Sequence, residues 1–196
     1  MTTIEELPIA TTELKQWLYC QRIVYYHRIS GLYPPMTRKM QEALKAQDQF
    51  EKLEVRRRLE KYGLANAQRE FSVSLSCPRI GLSGRLDLLI SSPTAASVVD
   101  FKLTASDPAP NLHLQLAAYG LMVEEVRAVP VNTVFIYRIP DDRLFPIDLT
   151  PELRASVASA VAAIRELDAS LVFPDPTPVR ARCEECEFAN FCADVW

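Results

Sequence analysis

Residues 84–102 read GRLDLLISSPTAASVVDFK. The apolar runs at 86–90 and 98–102 are each of strand length, and SSPTAAS between them carries turn chemistry, so the stretch predicts a β-hairpin. An antiparallel hairpin turning at Pro93–Thr94 sets Asp87 opposite Asp100. Lys102, two residues beyond Asp100, stands on the same face of the sheet. Two carboxylates and an ammonium therefore converge on one small spot.

Carboxylates placed side by side repel one another. A divalent cation resolves that repulsion, because Mg²⁺ or Mn²⁺ takes carboxylate oxygens and keeps several waters. A lysine beside such a metal can orient a water whose pKa the metal lowers, which is chemistry suited to a phosphodiester. The plain alternative is a pair of solvated aspartates on an exposed strand face.

Residues 111–127, NLHLQLAAYGLMVEEVR, carry apolar side chains at helical spacing, with Asn111 as a candidate N-cap. Gln115 and Tyr119 lie four apart and share one helix face. Alone, they read as an exposed glutamine and a packed tyrosine. Taken in order, G-x-x-D, D-x-K and Q-x-x-x-Y over residues 84–119 resemble the RecB-like branch of the PD-(D/E)xK nucleases. That resemblance implies that Asp87 and Asp100 hold the metal and Lys102 assists the attacking water. It also implies that Gln115 and Tyr119 support the site and its DNA.

A chain of 196 residues with 48% hydrophobic and 24% charged residues can bury one good core. A net charge of −3 argues against a generally basic DNA coat protein, yet leaves room for a local basic groove. No apolar run approaches the roughly 20 residues that cross a bilayer and no signal peptide opens the chain, so a cytoplasmic protein without a membrane partner is expected. Five cysteines in a reducing compartment point to metal or reactive thiols rather than disulfides.

Upstream of the hairpin, Thr11 or Thr12 is placed to cap a short helix through Leu14, Trp17 and Leu18. LYCQRIVYYHR follows at 18–28, where Arg22, Arg28, Tyr25, Tyr26 and His27 either contact nucleic acid or pack beside Cys20. After GLYPP, a long helix is predicted over 37–62. It carries Arg56, Arg57 and Arg58, either a solvated face or the lining of a DNA channel. Strands are expected at 70–76 and 132–138, an edge strand with Pro146 at 144–149, and an alanine-rich helix over 151–169 with Pro151 at its start. The order gives an α/β fold, a mixed sheet flanked by helices. Three parts of one unit are expected: an N-terminal segment 1–36, a nuclease core 37–172 and a cysteine tail 173–196.

That tail is proline-rich and then gives Cys183-x2-Cys186-x5-Cys192. Thiolates so spaced hold a soft metal or an iron–sulfur cluster, and Cys20 is the natural fourth ligand. Cys77 reads as a small buried residue. One cysteine before the core and three after it resemble the CRISPR-associated RecB-like exonucleases, the fourth of the numbered Cas families. The resemblance covers about residues 18–192. It implies a 4Fe–4S cluster on Cys20, Cys183, Cys186 and Cys192, with zinc as the alternative. It further implies trimming of DNA with single-stranded ends before spacer integration, in company with the Cas integrase complex. Two positions depart from the pattern. The helix histidine of the family is absent from KAQDQFEKLEVRRR, where Glu51 is the substitute ligand candidate, and Asp100 stands where glutamate is more frequent.

The expected activity is thus a metal-dependent deoxyribonuclease. The alternatives are a non-catalytic DNA-end-binding subunit and a RecB-like repair nuclease.

Overall fold

The computed structural model describes residues 7–36, 41, 42, 45, 54, 55, 59–64, 66–104, 107–184 and 186–192. Within them the chain forms strands β1 (Ile9–Ala10), β2 (Gln68–Cys77), β3 (Leu82–Ser91), β4 (Ala96–Lys102), β5 (Thr133–Arg138) and β6 (Arg143–Asp148). The helices are α1 (Thr11–Tyr19), α2 (Gln21–Arg28), α3 (Pro110–Arg127) and α4 (Pro151–Ser170).

The hairpin pairs Leu88 with Val99 and Ser91 with Ala96, the register expected from a turn at Pro93–Thr94. β2 runs antiparallel along the other edge of β3. β5 lies parallel to β4, a connection that needs a crossover, and α3 supplies it. β6 closes that side as an edge strand, where Pro146 removes a donor at little cost.

One feature of this mixed sheet positions everything that follows. β1 pairs in parallel with Leu82 and Ser83, while β4 pairs with Leu88–Ser91 on the same edge of β3. The two registers leave 84–87 without a strand partner on that edge, so β1 and β4 part around this span. β2 adds a kink there. Ser72 has φ 53°, a left-handed conformation uncommon outside glycine, and it lies across from Asp87. Val73 and Leu86 face the helices, whereas Phe71 and Leu88 face the opposite side, so the inward face changes at this point.

Most of the core lies between the sheet and α1, α3 and α4, with Leu14, Leu89, Val98, Leu116, Met122, Ile136 and Ile164 fully or nearly enclosed. Each such side chain contributes about 1.5–3 kcal/mol of transfer free energy. The opposite face packs Tyr62, Ile90, Val99, Phe101, Phe135 and Tyr137. A third cluster joins Ile23 and Tyr26 of α2 to Phe188 in the tail.

Two expected caps are corrected. Neither Thr11 nor Thr12 precedes α1; Ala10 does, and its backbone N–H is taken up by Glu13 Oε2 at 2.7 Å. Asn111 lies inside α3, which starts one residue earlier with Pro110 in its first turn, where a missing N–H is harmless. The N-terminal segment also contributes to the core, because Ile9 and Ala10 extend the sheet. Of the long helix expected over 37–62, Gln41, Glu42, Lys45 and Glu54 are helical, and 59–62 tighten into a 3₁₀ turn. Glu51, Arg56, Arg57 and Arg58 lie outside the described residues.

Candidate active site and cysteine cavity

Where β3 and β4 diverge, Asp87 Oδ2 accepts the backbone N–H of Phe101 at 2.8 Å. The aspartate thus replaces the ladder partner that the parting strands no longer provide. Asp100, one residue before Phe101, is buried and forms an ion pair with the Lys102 ammonium. Beyond that pair, Asp100 Oδ2 accepts no hydrogen bond from the described residues. Burial works against the charge of Lys102, but Asp100 beside it, then Asp87, outweigh burial and raise the ammonium above its ordinary value.

α3 brings the other predicted residues to the same spot. Tyr119 is 3% exposed and donates its hydroxyl to the Arg85 carbonyl at 2.6 Å, inside the span that β1 and β4 leave open. Burial raises its pKa, with the charges of Asp100 and Asp87 adding to the shift, so the phenol remains a proton donor. The polar ends of Thr11 and Gln115 adjoin that hydroxyl. Thr11 Oγ1 and Gln115 Oε1 are nonetheless buried without a hydrogen-bond partner among the described residues. Gly84 explains how α1 and α3 come so close to β3. A Cβ there would stand 2.5 Å from Thr11 Oγ1 and 2.9 Å from Tyr119 Cε1. The glycine of the G-x-x-D pattern is therefore a packing requirement.

Asp87, Asp100, Lys102, Gln115 and Tyr119 are thus brought together at one end of the hairpin. The donor set suits a hard cation, having two carboxylates and buried oxygens that lack donors. Among the described residues, no three His, Cys, Asp or Glu side chains are grouped so as to hold a metal ion by themselves. His113 is half-buried near the start of α3, and burial lowers its pKa. A cavity of about 790 Å³ lies away from this chemistry between α1, α2 and α4. Its charges are mutually satisfied, with Arg28 joined to both Glu13 and Asp168.

The four cysteines Cys20, Cys183, Cys186 and Cys192 all line one small cavity between α2 and the tail. Cys20 occupies the extended junction between α1 and α2. Burial raises the pKa of Cys186, and the neighbouring sulfurs of Cys20, Cys183 and Cys192 push in the same direction. Ionised together, such thiols would repel one another, and a shared cation would offset that repulsion. The walls of the cavity are tied across the whole chain. Tyr19 donates to the Arg182 carbonyl at 3.1 Å, Tyr26 to the Phe191 carbonyl at 3.1 Å, and Arg182 reaches back to the Tyr19 carbonyl at 2.7 Å. Burial, followed by the Cys192 sulfur, pushes the Tyr26 phenol up to about 12.

Arg22 requires a correction. It was expected as a DNA contact, but its side chain is turned inward and only 7% exposed. It donates to the Pro174 carbonyl at 2.8 Å and to Cys192 Sγ at 3.2 Å, with its guanidinium over the Phe173 ring. His27 packs instead of reaching outward, stacked on Tyr33 and edge-on to Phe188. Cys77 is buried apart from the other thiols and directs its thiol at the Met122 carbonyl.

A family model of the PD-(D/E)XK nuclease superfamily matches residues 8–193. The chain is 32% identical over 189 residues to the CRISPR-associated exonuclease Cas4 of Francisella tularensis subsp. novicida, covering 96% of this chain and 95% of that protein. It belongs to the Cas4 branch of the PD-(D/E)XK nucleases. A Cas4 exonuclease of Aeropyrum pernix is 26% identical, with coverage of 91% and 92%. The crystal structure of SSO0001 shares the fold at a TM-score of 0.57 and 17% identity, over 97% of this chain and 88% of that one. PD-(D/E)XK nucleases use divalent metal ions, in keeping with the carboxylate pair at the hairpin end.

One residue at this Cas4-type site escaped the sequence reading. Lys15 on α1 lies in the fields of Lys102 and Asp100, and its pKa is lowered by burial and then by Lys102. The available signal was slight, a lysine four residues after a threonine on a short amphipathic helix.

Proposed function

We propose that this chain is a metal-dependent DNA exonuclease that trims fragments before their integration during CRISPR adaptation. The observation that carries the reading is the convergence of Asp87, Asp100, Lys102, Gln115 and Tyr119 where β3 and β4 part, with Asp100 paired to Lys102 and Gln115 Oε1 buried without a donor among the described residues. A Mg²⁺ or Mn²⁺ ion held by Asp87 and Asp100 supplies Lewis acidity and a water of lowered pKa. Glu51 is the candidate for a further ligand.

The chain's own groups do the positioning. Lys102, kept charged by Asp100, donates hydrogen bonds to the attacking water or to a phosphate oxygen. Tyr119 fixes the strand edge through Arg85, and Gln115 offers its amide to the substrate side. Asp87 holds Phe101 in place, which keeps both carboxylates in register.

The four cysteines that line one cavity are the proposed ligands of an iron–sulfur cluster, 4Fe–4S by family resemblance, with zinc as the other metal that accepts four thiolates. Its role is to join the segment 1–36 and the tail 173–196 to the core 37–172. Reduced thiols suit a cytoplasmic protein, and among the described residues no helix is long and apolar enough to cross a membrane. The partners proposed are DNA with single-stranded ends and the Cas integrase complex, which would raise the effective concentration of this acidic chain at the DNA end. One observation favours a second reading, a non-catalytic DNA-end-binding subunit: the described donor set has two carboxylates and no third ligand.

The decisive experiment is digestion of a fragment with single-stranded overhangs in Mg²⁺ or Mn²⁺, beside Asp87→Ala. Metal-dependent shortening by the wild type alone supports the exonuclease. Equal shortening by both overturns it.

A further inference from the structure

We propose that Lys15 is a second active-site ammonium, one that contacts a phosphate of the bound DNA strand; this rests on the nuclease reading above. Thr11 and Lys15 lie four residues apart on α1 and so share one of its faces. Thr11 is 1% exposed and wedged against Gly84, which fixes the rotation of α1 about its axis. That rotation presents Lys15, one turn further on, to Lys102 and Asp100.

Two carboxylates act on Lys15, and neither closes an ion pair with it. Asp100 is engaged by Lys102. Glu187, which follows Cys186 in the tail, also attracts Lys15. Among the described residues, Lys15 forms no hydrogen bond or ion pair of its own. A half-buried ammonium facing another ammonium needs an anion nearby.

Counting charge identifies that anion. Asp87, Asp100 and Glu187 set three negative charges against Lys15 and Lys102, so a divalent cation on the aspartates would leave the site with one excess positive charge. A phosphodiester is the anion that a nuclease brings to such a site. Thr11 Oγ1 and Gln115 Oε1 are buried beside the Tyr119 hydroxyl without a hydrogen-bond partner among the described residues. Lys102 is then free to act on the water side, while Lys15 holds the phosphate side.

The test measures affinity for a fluorescent single-stranded oligonucleotide in Ca²⁺, which keeps the strand uncut, over a series of salt concentrations. Wild type, Lys15→Ala, Lys15→Gln and Lys15→Arg are compared, with Arg79→Ala as a control whose charge is engaged by Glu125 at an exposed turn. Lys15→Ala and Lys15→Gln should weaken binding about tenfold. The slope of log affinity against log salt should flatten by about 0.7 in both, as expected for one lost phosphate contact on a single strand. Lys15→Arg should keep the slope, and Arg79→Ala should leave it unchanged. Melting curves identify any variant that fails to fold, in which case the other neutral variant decides. Unchanged affinity and slope in a folded neutral variant overturn the proposal. Wild-type protein that binds in Ca²⁺ but never cuts when Mg²⁺ or Mn²⁺ replaces it overturns the nuclease reading alone, because the slope still decides for Lys15. Wild-type protein that binds no oligonucleotide overturns both.

Discussion

Asp87 and Phe101 are joined by a 2.8 Å hydrogen bond from a backbone N–H to a carboxylate, across two strands that are separating. The same carboxylate is a proposed metal ligand, which would give one residue both a mechanical and a chemical role. The two are separable by substitution. Asp87→Asn keeps an acceptor for the Phe101 N–H but removes the charge, whereas Asp87→Ala removes both. Both variants should lose cleavage, and only Asp87→Ala should also lose about 1–3 kcal/mol of stability, read by urea denaturation. Asp100→Ala and Lys102→Ala should likewise be inactive. Asp100→Glu should keep activity, measured as turnover on an overhang substrate.

Gly84→Ala tests the close approach of α1 and α3. The added methyl would overlap Thr11 Oγ1 at 2.5 Å and the Tyr119 ring at 2.9 Å, and Tyr119 is anchored by its bond to Arg85. Overpacking of this kind costs about 1–3 kcal/mol. Adding Thr11→Ala should recover part of that loss, because it removes two of the three nearest atoms, while Thr11→Ala alone should be mild. Thermal melting of the two single variants and the double variant provides the check.

The cysteine cavity predicts a split among the five thiols. Cys20→Ser, Cys183→Ser, Cys186→Ser and Cys192→Ser should each lose bound metal and stability, because metal capture by thiolates is coupled to folding. Cys77→Ser should keep the metal, since its thiol contacts the Met122 carbonyl and none of the other sulfurs. Arg22→Ala should behave like a cavity variant, losing metal and stability while leaving the salt dependence of DNA binding unchanged. Iron, sulfide and zinc analysis of anaerobically purified protein, beside melting curves, measures each outcome.

His27 gives the protein an acid-sensitive joint. Burial against Tyr33 and Phe188 lowers its pKa below the ordinary 6.5, and the weaker attractions of Glu187 and Glu13 do not offset that. The unfolded chain therefore binds the proton more readily than the folded one. Stability should be constant above pH 6.5 as far as His27 is concerned and should fall as the pH drops below it. His113 is shifted in the same direction and adds to the slope. His27→Gln combined with His113→Gln should flatten the stability curve between about pH 5 and 6.5, the window above carboxylate titration. Denaturant midpoints across that range are the measurement.

What could be read in advance follows from how local each signal was. The hairpin register depends on one turn and two short runs, and it emerged as expected, although the ladder stops at Leu88–Val99 and Asp87 takes the Phe101 N–H instead of pairing with Asp100. α3 was legible because its apolar period is long, although Pro110 rather than Asn111 sets its start. β1 was not legible. Two residues carry no periodicity, and their strand character exists only because β4 leaves half of the β3 edge vacant. The kink at Ser72 had no glycine or asparagine to announce it. Arg22 reads as a surface cation in any window of sequence, and only the return of the tail to α2 reveals that it is enclosed. Lys15 was hidden for the same reason, because its partners lie on β4 and in the tail.

The tie between Tyr19 and Arg182 spans 163 positions, and it has a consequence for synthesis. The segment that leaves the ribosome first has nowhere to dock: Ile9 and Ala10 wait for Leu82 and Ser83, and Tyr26 waits for Phe188. Contacts so distant in sequence form late, because loop closure must precede them. Until then Ile23 and Tyr26 are uncovered and Cys20 is a solitary thiol, open to chaperones and oxidants alike. An ion held by the four sulfurs, as proposed, would be delivered to a chain whose sheet is already built, so metal supply would govern the last step of maturation rather than the first.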